Sequence, residues 1–165
     1  MKKMFYVLAT LWGVLGLQTV TVHFLGGSRV SFDVVLIAVL FYGLTRGPAA
    51  AQLMGFVWGL LVDASVLGVV GLHSLLYALC GFSAGMLRRQ LDESKPWTQS
   101  LFTFGITAVY ALLYGFLMRV LSPESGVLSA ALLTLPILGA ALAPVIFWLM
   151  HQWNRMWNVT ERVDR

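Results

Sequence analysis

Charge is what this sequence has least of: only 11% of its 165 residues are Asp, Glu, Lys or Arg, while 59% are hydrophobic. An ordinary soluble domain carries about 25% charged residues. A chain of this size also has too much surface for its volume to hide that much apolar material from water. The deficit excludes a soluble domain and makes lipid the solvent for most of the chain. Cysteine is nearly absent as well. The single Cys80 stands inside an apolar run, where it reads as a small packing residue. It cannot close an internal disulfide, so the extracytoplasmic connections are not stapled. The longest polar connection is 88–98, which carries both signs of charge; elsewhere none exceeds a few residues, and no internal repeat is evident. The net charge of +4 comes from basic residues scattered in loops and tails. They form no stripe along one helix, which argues against a nucleic-acid partner.

What is present is a series of charge-free runs: 4–28, 34–45, 47–62, 64–87, 96–118 and 125–154. A helix crossing the ~30 Å hydrocarbon core needs about 20 apolar residues, and four of the runs are long enough. The runs 34–45 and 47–62 reach only roughly 18 and 24 Å at a ~1.5 Å rise per residue. Between them Thr45-Arg46-Gly47-Pro48 supplies the punctuation, a tight turn followed by a proline suited to a first helical turn. The expected fold is all-α, a polytopic transmembrane bundle of about six short spans in one membrane domain covering 1–165. The spans are placed near 5–24, 32–45, 48–63, 67–87, 99–120 and 127–150. No A-x-A-like site follows the first run, so a retained first span is expected and not a cleaved signal.

Topology follows from the basic residues. With Lys2 and Lys3 inside, nine fall on the cytoplasmic side: Lys2, Lys3, Arg46, Arg88, Arg89, Lys95, Arg155, Arg162 and Arg165. Two, Arg29 and Arg119, fall on the other. This asymmetry obeys the positive-inside rule and puts both termini in the cytoplasm. A single crossing over 34–62 would reverse it. A re-entrant loop there would not, but it would hold Arg46 at depth, where a charge is costly without a partner. Local thinning of the bilayer, or shielding by neighbouring helices, would accommodate the short pair. In the last span Pro136 and Pro144 are expected to kink the helix. After it, Trp153, Met156 and Trp157 share a face interrupted by Arg155. That pattern suits a short interfacial helix over 151–160, or an ordinary aromatic anchor.

Convergent polar chemistry is scarce. His23, His73 and His151 share no helical face and no metal-ligand spacing, and Cys80 stands seven residues from His73. No metal and no cofactor is therefore expected. His73-Ser74 invites a hydrolase reading, but adjacent helical residues do not face each other. No G-x-S-x-G, H-E-x-x-H or phosphate-cradling loop occurs, so no catalytic residue is assigned. Asn158-Val159-Thr160 matches a glycosylation sequon but falls on the cytoplasmic side.

The informative stretch is 55–89. Gly55 and Gly59 are four apart, as are Gly81 and Gly85. Each pair leaves a flat strip where another backbone can approach, and together they predict a compact helical hairpin. Asp63 stands where the third span reaches the outer interface. Three roles are open to it: capping the turn or helix containing Ser65–Leu67, contact with a partner or ligand, or proton chemistry. Asp33 and Arg119 stand near outer span ends, and either could pair with something across the bundle, although arginines at helix ends usually snorkel to the headgroups. Thr103, Thr107, Tyr110 and Tyr114 form a mildly polar stripe on the fifth span. Such a stripe faces either a neighbouring helix or another protein's transmembrane helix. Asp63, Arg119, Thr107, Tyr110 and Tyr114 are accordingly the candidates for partner contact.

The arrangement Gly55-x-x-x-Gly59-Leu60-x-x-Asp63, then Gly68-x-x-Gly71-Leu72, then a Gly81/Gly85 helix ending in Arg88-Arg89, resembles the rod shape-determining protein MreD family. The motif positions are Gly55, Gly59, Asp63, Gly68, Gly71 and Leu72. The resemblance implies a non-catalytic accessory of the bacterial inner membrane, serving the machinery that inserts side-wall peptidoglycan in rod-shaped cells. It implies association with MreC, a bitopic protein with a periplasmic domain. Through MreC the link would extend to a class B penicillin-binding transpeptidase, a SEDS-type glycosyltransferase and the actin-like filament. Residues that contact MreC are not given by the motif, and self-association as a homodimer stays open. From another class, the substrate-binding component of an ECF-type vitamin transporter is also a small six-helix bundle. In that alternative the short pair 32–63 would frame a small-molecule site.

Overall fold

A computed structural model describes residues 2–25, 33–65, 70–90, 95–121 and 131–156. Six helices make up these residues: α1 (Lys2–Leu25), α2 (Val34–Arg46), α3 (Pro48–Ser65), α4 (Leu72–Leu87), α5 (Pro96–Leu121) and α6 (Ala131–Met156). Each tracks one charge-free run, because apolar residues without competing polar side chains satisfy their backbone best as helix in lipid. Two departures from the expected boundaries are the largest. Helix α4 starts at Leu72, not near 67, and positions 66–69, Gly68 among them, lie outside the described residues. Helix α6 continues through Pro136, Pro144 and on to Met156. The stretch 151–156 is thus the end of α6 and not the start of a separate interfacial helix, since no glycine or proline interrupts it after Pro144. Residues 157–160 lie outside the described residues.

The α2–α3 turn is a single residue. Gly47 adopts φ 92° while its N–H donates to Gly43 O at 3.1 Å. That left-handed φ favours glycine, and an added Cβ would also stand 2.6 Å from the Arg88 guanidinium. Pro48 then opens α3, where the absent N–H is no loss.

Helix α2 is the axis of the molecule. Every residue from Val34 to Leu44 is buried, and the helix packs against α1, α3, α4, α5 and α6. Its thirteen residues reach only about 20 Å at ~1.5 Å per residue. A helix that touches protein on all sides need not match the thickness of the lipid. Phe41 of α2, for example, meets Phe147 and His151 of α6 edge-on, at centroid distances of 5.4 and 5.1 Å.

Helices α3 and α4 form an antiparallel hairpin with glycine facing backbone along its length. A Cβ on Gly55 would stand 2.5 Å from Tyr77 O, and one on Gly81 would stand 2.6 Å from Ala51 O. At Gly59 it would strike the Ser74 backbone, and at Gly85 the Pro48 backbone. Gly43 of α2 packs just as tightly on α4, where a Cβ would stand 2.6 Å from Ala84 Cβ. Close approach of this kind replaces the hydrophobic drive that helices lack inside lipid.

These contacts give the bundle two unlike ends. Arg46, Arg88, Arg89, Lys95 and Arg155 stand where α2, α4 and α6 finish and α5 starts, and α1 begins with Lys2 and Lys3 at this basic end. Asp33, Asp63 and Arg119 stand at the opposite, acidic end. Between the ends the surface is apolar. Leu112 is 75% exposed, Phe116 66% and Trp148 63%, which suits lipid and not water. Pro96–Leu121 and Thr134–Met156 are each long and apolar enough to cross a membrane.

Candidate functional site

The polar groups converge at the acidic end. Helix α4 begins after Gly71, whose φ of 94° is left-handed and which carries no side-chain cap. The first N–H groups of any helix lack intrahelical acceptors, and here a residue from the preceding helix supplies them. Asp63 Oδ2 accepts from Gly71 N at 3.0 Å, Ser74 N at 3.1 Å and Ser74 Oγ at 2.7 Å. Its Oδ1 accepts from His73 N at 3.1 Å and lies 2.8 Å from His73 Nδ1. A carboxylate offers about four lone-pair directions, so this one is fully engaged. Asp63 is 4% exposed. It caps the helix beyond the turn, while the Ser65 hydroxyl donates back to Leu61 O at 2.8 Å and positions 66–67 lie outside the described residues.

A second aspartate stands beside this cap. Asp33 is the N-cap of α2, its Oδ1 accepting from Leu36 N at 3.0 Å, while Tyr77 of α4 donates its phenolic O–H to Oδ2. Tyr77 stacks near Tyr110 at 5.7 Å, Tyr110 on Tyr114 at 6.0 Å, and Tyr114 near His73 at 5.2 Å. His73 in turn meets Tyr77 edge-on at 5.8 Å. Two aspartates, one histidine and three tyrosines thus tie α2, α3, α4 and α5 into one unit.

Not every candidate joins it. Gly71, Leu72, Asp63, Tyr110 and Tyr114 are gathered here. The Thr103–Tyr114 stripe is split. Thr107 turns its hydroxyl back to Thr103 O at 2.6 Å and packs beside Gly139 of α6, whereas the tyrosines face α4. Asp63, Thr107 and Tyr110 are enclosed by the chain's own helices, so of the five candidates for partner contact the half-buried Tyr114 and the exposed Arg119 remain accessible. Asp33 does find a partner across the bundle, Tyr77 of α4, beside its cap bond from Leu36 N. The Asp33–Tyr77 and Asp63–His73 bonds escaped the sequence reading. Asp33 at the head of an apolar run was the available signal for the first, as an N-cap.

Chemically the cluster is a clamp. A serine nucleophile needs its hydroxyl on the histidine and the histidine on the acid. Here Ser74 and His73 both bond the same carboxylate, so the histidine does not activate the serine. With Asp63 ionised, the 2.8 Å contact is a hydrogen bond that His73 Nδ1 donates to Oδ1. No group of three His, Cys, Asp or Glu is placed to hold a metal among the described residues.

Fold and site together define a small helical membrane protein whose buried polar side chains fasten its helices to one another. The family model described as rod shape-determining protein MreD matches residues 2–153, and the chain belongs to that family of shape-determining membrane proteins. No curated protein and no solved structure matches it.

Proposed function

We propose that this chain is a non-catalytic scaffold of the bacterial inner membrane, crossing it six times with the basic end in the cytoplasm. It binds an MreC-like bitopic protein and so supports the elongation complex, with its class B transpeptidase and SEDS-type glycosyltransferase, that builds side-wall peptidoglycan. The observation that carries this reading is the family match over 2–153. The gathering of basic positions at one end supports the orientation, by the positive-inside rule. The filled centre, where Val35 to Leu40 are at most 1% exposed, favours a packing role over capture of a small molecule. Arg119 and Tyr114, at the end assigned to the periplasm, are the residues proposed for partner contact.

Two measurements test it. Cross-linking in native membranes followed by purification is expected to recover a single-span partner, and depletion of the chain to round the cells. Recovery of ATPase subunits with a bound small molecule would overturn the scaffold. For orientation, single cysteines placed at Arg89 and Arg119 in a Cys80→Ala background should differ in labelling by an impermeant maleimide. Position 119 should react in intact cells, and position 89 only after permeabilisation. The reverse pattern would invert the topology.

A further inference from the structure

Helix α6 runs unbroken to Met156. That continuity puts Trp148, His151, Gln152 and Arg155 on one face, since helical residues three, four and seven apart are neighbours. A separate helix from 151 would have parted Trp148 from Arg155. The four side chains line a cleft of about 280 Å³ at the basic end of the bundle. Trp153 stands roughly opposite on the helix. Its Nε1 donates to Thr10 Oγ1 of α1 at 3.0 Å, which fixes the rotation of this last stretch. His151 rests edge-on against Phe41, with ring centroids 5.1 Å apart. The side chains of Gln152 and Arg155 make no hydrogen bond or ion pair among the described residues.

Charge and depth choose the occupant. Arg155 is exposed, and the two described carboxylates, Asp33 and Asp63, stand at the opposite end of the bundle with donors of their own. No described group therefore neutralises Arg155, and its planar fork of N–H donors matches the oxygens of a phosphate. His151 and Gln152 add a ring N–H and an amide one turn deeper. Trp148, 63% exposed, forms the floor of the cleft. It lies about 10 Å below Arg155 at ~1.5 Å per residue, in the apolar band that a water-soluble anion does not enter. A cation outermost, polar donors next and an indole beneath is the order of a phospholipid, phosphate above acyl chain. Indole rings favour that same boundary.

We propose that this cleft binds an anionic phospholipid of the leaflet at the basic end. Arg155 holds the phosphate, helped by His151 and Gln152, and Trp148 covers the start of an acyl chain. One arginine near the headgroups contributes about fivefold to the preference for a lipid of net negative charge. Phosphatidylcholine competes poorly, because its own ammonium stands where Arg155 would. The inference rests on the basic end lying at a membrane surface, as proposed above, but not on any partner protein.

The test uses the delipidated full chain in non-ionic detergent, with bound phosphatidylglycerol or phosphatidylcholine counted by native mass spectrometry. Wild type should retain about fivefold more phosphatidylglycerol. Arg155→Gln should bring the two lipids level. Arg89→Gln removes the same charge at the same end but outside the cleft, and should keep the wild-type preference. Trp148→Ala should lower retention of both lipids by about threefold or more, through lost apolar contact. Its melting curve should not move, because the indole faces outward. Glycerol phosphate, a headgroup without chains, should not displace bound lipid at equal concentration. An unchanged preference in Arg155→Gln, an equal loss in Arg89→Gln, undiminished retention in Trp148→Ala, or displacement by glycerol phosphate would each overturn the proposal. So would an Arg155→Gln chain that keeps its lipid preference but loses an acidic soluble protein from membranes, which would give the cleft to that protein. Because the lipid count is made on the isolated chain, its failure would leave the scaffold reading untouched.

Discussion

Replacing Gly59 by leucine is expected to separate α3 from α4 and to destabilise the bundle more than any substitution of Cys80. Even a single added carbon would strike the Ser74 backbone, with Ser74 N at 2.5 Å. Backbone cannot rotate aside as a flexible side chain can, so the helices must part. Overpacking a well-filled core costs about 1–3 kcal/mol and occasionally more, and a leucine driven into main chain belongs at or above the top of that range. Separation would also forfeit the dispersion contacts along the hairpin and disturb the Asp63 clamp at its tip. Gly85→Leu, aimed at the Pro48 backbone, should behave alike. Cys80→Ala removes one sulfur from a buried site and should stay within about 1 kcal/mol, small beside the leucine variants. Thermal unfolding in detergent, with folded yield from membranes, gives the order. Equal melting of Gly59→Leu and Cys80→Ala would refute the close-packed hairpin.

Loss of the Asp63 carboxylate should be comparably severe. Asp63→Ala leaves Gly71 N, His73 N, Ser74 N and the Ser74 hydroxyl without their acceptor in a buried setting. Each orphaned group costs about 1–3 kcal/mol unless water reaches it, so several kcal/mol in total is the expected loss. Asp63→Asn keeps one acceptor oxygen and should fall between alanine and wild type. Tyr77→Phe removes a single bond to Asp33 and should cost about 1.5–3 kcal/mol, the scale for a hydrogen bond to a charged group. The order Asp63→Ala, then Asp63→Asn, then Tyr77→Phe can be read from melting temperatures in one detergent. An Asp63→Ala protein as stable as Tyr77→Phe would show that the cap is not what holds α4 in place.

Much of this architecture was legible in the sequence because lipid imposes a harsh rule: charges interrupt helices and uncharged runs form them. Arg46, Asp63 and Arg88 each stand within two residues of a helix end, and the glycine spacing at 55, 59, 81 and 85 announced the hairpin. What escaped were bonds between distant parts of the chain. Tyr77 to Asp33 spans 44 positions and Trp153 to Thr10 spans 143. No local periodicity encodes either one. Asp63 was recognisable as a cap of the segment that follows it, but where that helix starts was not, since the start of α4 depends on the left-handed turn at Gly71. The Thr103–Tyr114 stripe looked like one face because its spacing alternates between three and four residues. Slightly different directions along that stripe were enough for α6 to take the threonines and α4 the tyrosines.

The position of α2 sets an order of events during biogenesis. It is made before α3, α4 and α6, which enclose most of it. At about 20 Å it is too short to sit stably by itself in a ~30 Å hydrocarbon layer. The nascent chain must therefore carry an ill-matched segment until its later helices arrive, about 100 residues downstream for α6. Any factor that shelters that segment, or any delay in translating the second half, would govern how much of the chain matures and how much goes to proteolysis.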